Sequence, residues 1–262
     1  MTFLVLGAVA LLVSALTLFS GFGLGTLLMP AFALFFPLDV AVPATAVVHM
    51  ANSFFKVGLL GRQARRSVVL RFGLPAILTA LVGAWVLSLL AAQQPLFSYT
   101  LAGRVAETTP IELVMGLLIL TFAAIDLIPW FERLRLDPAL LPLGGAFSGF
   151  FGGLSGHQGA LRAAFLGKVG LTPTEFAATQ AVLAAMVDTA RMAVYAVAFA
   201  RGAMGGVQTR EQWSLVAFAS VCALAGALLA SRLLPKVTVR RLRWITGGLL
   251  LVVGIGLSSG LL

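Results

Sequence analysis

Apolar residues run along this chain in eight long blocks separated by short polar turns: 3–37, 40–61, 68–91, 111–131, 139–169, 174–200, 213–234 and 242–261. Six of the blocks have the length of one bilayer-crossing helix, about 20 residues or slightly more. The other two, 3–37 and 139–169, are too long for one upright crossing and too short for two crossings with a turn. Each carries a glycine cluster near its middle, Ser20-Gly-Phe-Gly-Leu-Gly25 in the first and Ser148-Gly-Phe-Phe-Gly-Gly-Leu-Ser-Gly156 in the second. Non-helical backbone at membrane depth survives only where protein or a wet cavity surrounds it. Both blocks are therefore expected to be broken, re-entrant helix hairpins.

The hairpins open a longer repetition. Each is followed by a proline-containing turn, Pro37-Leu-Asp-Val-Ala-Val-Pro43 or Leu171-Thr-Pro-Thr-Glu175. A helix opening with Ala44-Thr45-Ala46 or Ala178-Thr179-Gln180 comes next, and then two further spans. The pattern predicts an all-α polytopic membrane protein of two repeats, 1–137 and 138–262, forming one integral domain. Each repeat is a broken hairpin plus three transmembrane helices.

Composition agrees that the solvent is lipid. Of 262 residues 60% are hydrophobic and 10% charged, with mean hydropathy +1.04; a soluble domain typically carries about a quarter charged residues. No room is left for an extramembrane domain. Lys and Arg number 18 against 9 Asp and Glu, giving +9. In a membrane chain such an excess sets orientation, so nucleic acid is excluded as a partner. Cys222 alone permits neither an intrachain disulfide nor a CxxC relay. The first apolar block lacks a basic segment before it and reads as a retained span rather than a cleaved signal peptide.

Short cytoplasmic loops collect Lys and Arg. Arg62, Arg65, Arg66 and Arg71 mark one such loop, and Arg232, Lys236, Arg240, Arg241 and Arg243 another. Threading from these anchors puts Arg133, Arg135 and Lys168 inside and leaves Arg104, Arg201 and Arg210 outside. The first hairpin then enters from outside and the second from inside, so the repeats are inverted and both termini are external. Inverted repeats around discontinuous helices are the architecture of secondary transporters, with the substrate near the midplane.

Three bases remain within the bilayer: Lys56, Arg162 and Arg191. His49, His157 and Asp188 share that zone. An intramembrane charge costs about 2.5–3.5 kcal/mol even on lenient scales and normally faces a polar cavity. His49, Asn52, Ser53 and Lys56 fall at i, i+3, i+4 and i+7 on one helix face. Gln180, Asp188 and Arg191 line the equivalent helix of the second repeat, and Ser155, His157, Gln158 and Arg162 belong to the second hairpin. Three permanent cations against one carboxylate, with half-helix N-termini nearby, point to a small oxyanion as substrate. Arg162 and Arg191 are the preferred ligands because a guanidinium fork matches such oxygens. His157, Gln158, Ser155, His49, Asn52, Lys56 and Gln180 complete the expected substrate site. Asp188, His49 and His157 are the candidates for carrying a coupled proton. Structural alternatives stand beside these: Lys56 snorkelling towards Arg62, Asp188 and Arg191 as a neutralising pair, and glycine clusters serving close helix packing.

Ser20-Gly-Phe-Gly-Leu-Gly25 with Pro30 and Ala44-Thr45 resembles the first half of the TauE/SafE sulfite-exporter family, also called the toluene-sulfonate uptake permease superfamily. Ser148-Gly-Phe-Phe-Gly-Gly153, Ala178-Thr179 and Asp188-Thr-Ala-Arg-Met-Ala-Val-Tyr195 resemble its second half. The resemblance implies a bacterial inner-membrane permease, not an enzyme and without a cofactor, for sulfite or organosulfonates. The segment Leu154–Arg162 is more polar than the family's usual run. Direction of transport and homo-oligomerisation stay open. Two other classes compete: a metal-ion permease using His49, His157 and Asp188, and a rhomboid-like serine protease built on Gly153-Leu-Ser155-Gly156.

Overall fold

The computed structural model describes residues 2–20, 24–101, 104–128, 136–233 and 239–261. Ten α-helices lie within them: α1 Thr2–Ser20, α2 Leu24–Ala33, α3 Leu38–Leu60, α4 Arg66–Ala91, α5 Pro110–Leu127, α6 Leu141–Ser155, α7 Gly159–Leu166, α8 Pro173–Ala200, α9 Arg210–Leu233 and α10 Val239–Ser258. Four stretches are long and apolar enough to cross a membrane: Leu38–Gln63, Arg66–Ala91, Pro173–Ala200 and Arg210–Leu229. Thr2–Ala15, Pro110–Ile125 and Gly247–Ser258 are shorter apolar helices. The protein is a multi-span helical bundle. Gly21 to Gly23, Arg133, Arg135 and Lys236 lie outside the described residues, as do the side chains of Arg104, Arg232, Arg240, Arg241 and Arg243.

Helix starts follow local chemistry. Thr109 and Thr172 each cap a helix whose first residue is proline and whose third is Glu112 or Glu175, completing a reciprocal capping box. Helix α3 begins at Leu38 and α8 at Pro173, earlier than the Ala-Thr pairs that sequence reading took as their openings. Pro43 sits inside α3 rather than before it. A proline near the N-terminus of a helix forfeits little, because the first turn has few intrahelical bonds to lose.

The largest departure concerns the second glycine cluster. Gly149, Gly152 and Gly153 are helical, and the break falls after them at Gly156, His157 and Gln158. Gly156 takes φ +80°, a left-handed helix end that favours glycine, and its N–H bonds the Gly152 carbonyl at 3.0 Å. The glycines before it let two backbones touch. A Cβ on Gly145, Gly149 or Gly153 would run into the backbone of Phe72, Ala76 or Ala80 on α4, and Gly83 of α4 meets Phe150 in the same way. Where lipid surrounds both helices, small residues of this kind drive association by close packing.

The other pairings use the same device. Helix α1 packs on α9, where Gly226 faces the Leu11 backbone, and α5 packs on α10 through Gly116 and Gly254. Helices α3 and α8 cross at the centre, with α4 also against α8 and α9 against α3. A feature absent from the helical expectation is an antiparallel hairpin of β1 Phe97–Leu101 and β2 Arg104–Thr108, between α4 and α5. Phe97–Leu101 alternates apolar and polar side chains, a period-two signal that eight-block hydropathy passes over, whereas Arg104–Thr108 does not alternate. The Tyr99 hydroxyl donates to the Ser259 carbonyl at 2.6 Å, tying the hairpin to the end of α10.

Candidate functional site

The start of α2 meets the break between α6 and α7. Gly25, at the start of α2, lies against the Gly156 carbonyl and the His49 ring. Around this point α3, α7 and α8 contribute a nearly water-free polar cluster.

Asp188 is its hub. Its Oδ2 faces His49 Nδ1 at 2.6 Å and accepts from the Ser53 hydroxyl at 2.9 Å. Its Oδ1 accepts from Arg191 Nη2 at 2.8 Å, Arg191 Nε at 3.1 Å and Gln158 Nε2 at 3.5 Å. Asp188 is 0% exposed and Arg191 1%. The sequence places Asp188 and Arg191 three apart, about one helical turn, so that α8 carries its own ion pair. The Arg191 guanidinium also lies against Gly156, beside the carbonyl end of α6. A cation is favoured at such an end. Tyr195, one turn further on, donates its hydroxyl to the Gly153 carbonyl.

Arg162 stands apart from this neutralised pair. Its Nε donates to Gln180 Oε1, and its Nη1 donates to Gln158 Oε1 at 3.2 Å. Among the described residues no carboxylate forms an ion pair with it. Lys56, buried on α3, is near enough for its charge to oppose that of Arg162 and likewise has no ion-pair partner among the described residues. Gln180 commits its oxygen to Arg162, and its buried Nε2 is left without a hydrogen-bond partner. An orphaned buried donor normally costs free energy and calls for an explanation.

The remaining expected residues divide. Asn52 reaches α1, where Ser14 donates to its Oδ1 at 3.0 Å. Ser155 donates to the Phe151 carbonyl at 3.0 Å and approaches His157 Nδ1 at 3.2 Å. The His157 ring stacks on Phe122 at 5.3 Å and 13°. Lys56 is 9% exposed, so most of its side chain is buried against the bundle. Three residues of the site escaped sequence reading. Ser14 is an isolated hydroxyl in an apolar run and gave no signal. Thr45 and Tyr195 had one: each lies four residues from a titratable member, His49 or Arg191, on the same face. The buried Thr45 hydroxyl has no hydrogen-bond partner. Among the described residues no group of three or more His, Cys, Asp or Glu is placed to hold a metal ion.

Comparison with curated proteins and with solved structures gives no match. A family model described as sulfite exporter TauE/SafE matches residues 6–257, nearly the whole chain and every element of the site. The chain belongs to the sulfite exporter TauE/SafE family of membrane transporters.

Proposed function

We propose that this protein carries a small oxyanion, sulfite or an organosulfonate, across the bacterial inner membrane, and that the anion binds between Arg162, Lys56 and Gln180. The observation that carries this reading is Arg162: a buried guanidinium answered only by neutral amides among the described residues. An oxyanion there would supply the missing negative charge, accept from the idle fork and occupy the orphaned Gln180 Nε2. Arg191 serves the site from behind, since Asp188 already holds two of its nitrogens. Ser155 and His157 lie at the break after α6, His49 meets Asp188 beside it, and Asn52 is held by Ser14 on α1. In a transporter family the Ser155–His157 approach has no hydrolytic task.

The test is counterflow of labelled sulfite into proteoliposomes. Methanesulfonate is expected to compete and choline is not. Competition by choline alone would remove the anion site.

The packing pattern supports two repeats, 1–137 and 138–262. Exchanging the halves element by element turns the α1–α9 contact into α6–α4, turns α4–α8 into α9–α3, and maps α3–α8 and α5–α10 onto themselves. Inverted repeats generate this pattern, because each half then meets the other through equivalent faces. Ser67 and Glu211 begin α4 and α9, the equivalent helices. With Cys222 replaced by Ser, Ser67→Cys is expected to react with an impermeant maleimide from the cytoplasmic side and Glu211→Cys from the outside. Labelling of both from one side would leave the repeats parallel and displace the termini from the outer face.

A further inference from the structure

Gln158 occupies a place that nothing above accounts for. Its side chain is fully buried and lies between two charged groups of opposite demand. Asp188 can only accept hydrogen bonds and Arg162 can only donate them. The amide orientation is therefore forced: Nε2 towards Asp188 Oδ1 at 3.5 Å, Oε1 towards Arg162 Nη1 at 3.2 Å. We infer that Gln158 is a positioning residue that couples protonation of the His49–Asp188 pair to occupancy of the anion site at Arg162. The inference rests on the anion reading above.

The coupling works through competition for Asp188. Because the carboxylate only accepts, His49 Nδ1 carries the hydrogen that points at Oδ2, and an added proton from solvent goes to Nε2. The resulting imidazolium joins Arg191 in meeting the Asp188 charge. Of the bonds that Asp188 accepts, the one from Gln158 is the longest, and it is the one released. A freed amide turns its oxygen away from Arg162, which opens Nη1 to the anion. Gly152 lets the Gln158 side chain approach closely: a Cβ there would stand 3.1 Å from Gln158 Cβ and Oε1 and 2.9 Å from Val187 Cγ1. The charged and titratable groups facing the pair are Arg162 on α7, and Arg191 and Tyr195 on α8; Lys56 on α3 faces Arg162, and His157, in the break, is held by Ser155 and Phe122. Arg162 and Arg191 are cations that resist a further positive charge at His49, and an arriving anion relieves them. Proton and anion therefore bind together, and anion affinity rises as pH falls.

Methanesulfonate is a suitable probe because it stays a monoanion across about pH 5 to 8, so any pH dependence belongs to the protein. For the wild-type protein in detergent, calorimetry is expected to show Kd lower by about tenfold at the acidic end. In weak buffer, binding should take up protons. Gln158→Met is expected to bind with a clearly shallower pH dependence and with reduced proton uptake. Gln158→Asn, whose amide is too short to span both partners, should behave alike if the first variant does not fold. An unchanged pH slope in either variant overturns the coupling, as does a wild type that binds without proton uptake. Loss of all binding in both variants would make Gln158 a direct ligand and also overturn it. Absence of binding by the wild type at every pH would remove the anion reading itself, a distinguishable failure.

Discussion

Replacing Arg162 with Gln is expected to abolish anion transport while leaving the protein as stable as before or more so. The first half follows from charge: truncating one side of a buried, hydrogen-bonded charge pair typically costs about 2 kcal/mol or more, at least about thirtyfold in Kd. The second half follows from desolvation. Without substrate, Arg162 is a desolvated cation held by two amides, Gln180 and Gln158, and no carboxylate loses its partner when it goes. A neutral Gln removes that desolvation penalty. Arg162→Lys keeps the charge but not the fork, so it should retain part of the affinity and lose discrimination for planar oxyanions. Calorimetric titration with methanesulfonate and a thermal melt in detergent read the two halves separately. Wild-type Kd in Arg162→Gln would end the assignment; weaker binding with an equally large fall in Tm would show a structural residue instead.

Much of this site was legible in the sequence because intramembrane polar residues are rare. His49, Ser53 and Lys56 share one face by helical spacing, as do Asp188 and Arg191, and the structure brings both faces to the α3–α8 crossing. Spacing says nothing about which opposite charges will pair across helices. Arg162 and Arg191 therefore looked alike as anion ligands, and only the Asp188 bonds separate a neutralised base from an unneutralised one. The exact position of the helix break within the second glycine cluster was not legible for a related reason. A run of glycines is compatible with a broken helix or with close packing, and the partner decides. Residues 149–153 find the α4 backbone and stay helical, whereas Gly156 has Arg191 beside it and takes the left-handed turn.

The fold shows the same division between what is local and what is relational. Capping boxes at Thr109 and Thr172 are written in four consecutive residues each. Block hydropathy finds the spans because burial in lipid is a property of each helix alone. It does not find that α6 leaves α7 and lies along α4 in the other half, since that contact depends on matching a glycine stripe with Ala76 and Ala80. The strands Phe97–Leu101 and Arg104–Thr108 were hidden for their shortness, being only five residues each.

Asp188→Ala is expected to be the most destabilising single change in the site, the opposite of Arg162→Gln although both remove one charge. Asp188 accepts from Arg191 through two nitrogens, faces His49 and accepts from Ser53 and Gln158, all within a region closed to water. Its removal leaves Arg191 charged, 1% exposed and without its carboxylate. Breaking a buried pair from one side typically costs about 3–5 kcal/mol, whereas replacing both members with apolar residues of similar volume is often neutral. Asp188→Ala should accordingly lower Tm sharply or prevent recovery of folded protein from the membrane. Asp188→Ala combined with Arg191→Met should recover most of the loss. If that double variant is as unstable as the single one, the Asp188–Arg191 pair is not what the carboxylate stabilises, and its role shifts to His49 and Ser53. If the double variant is stable and still binds methanesulfonate with wild-type affinity at acidic pH, Arg191 is confirmed as a neutralising partner, and the anion depends on Arg162 alone among the arginines.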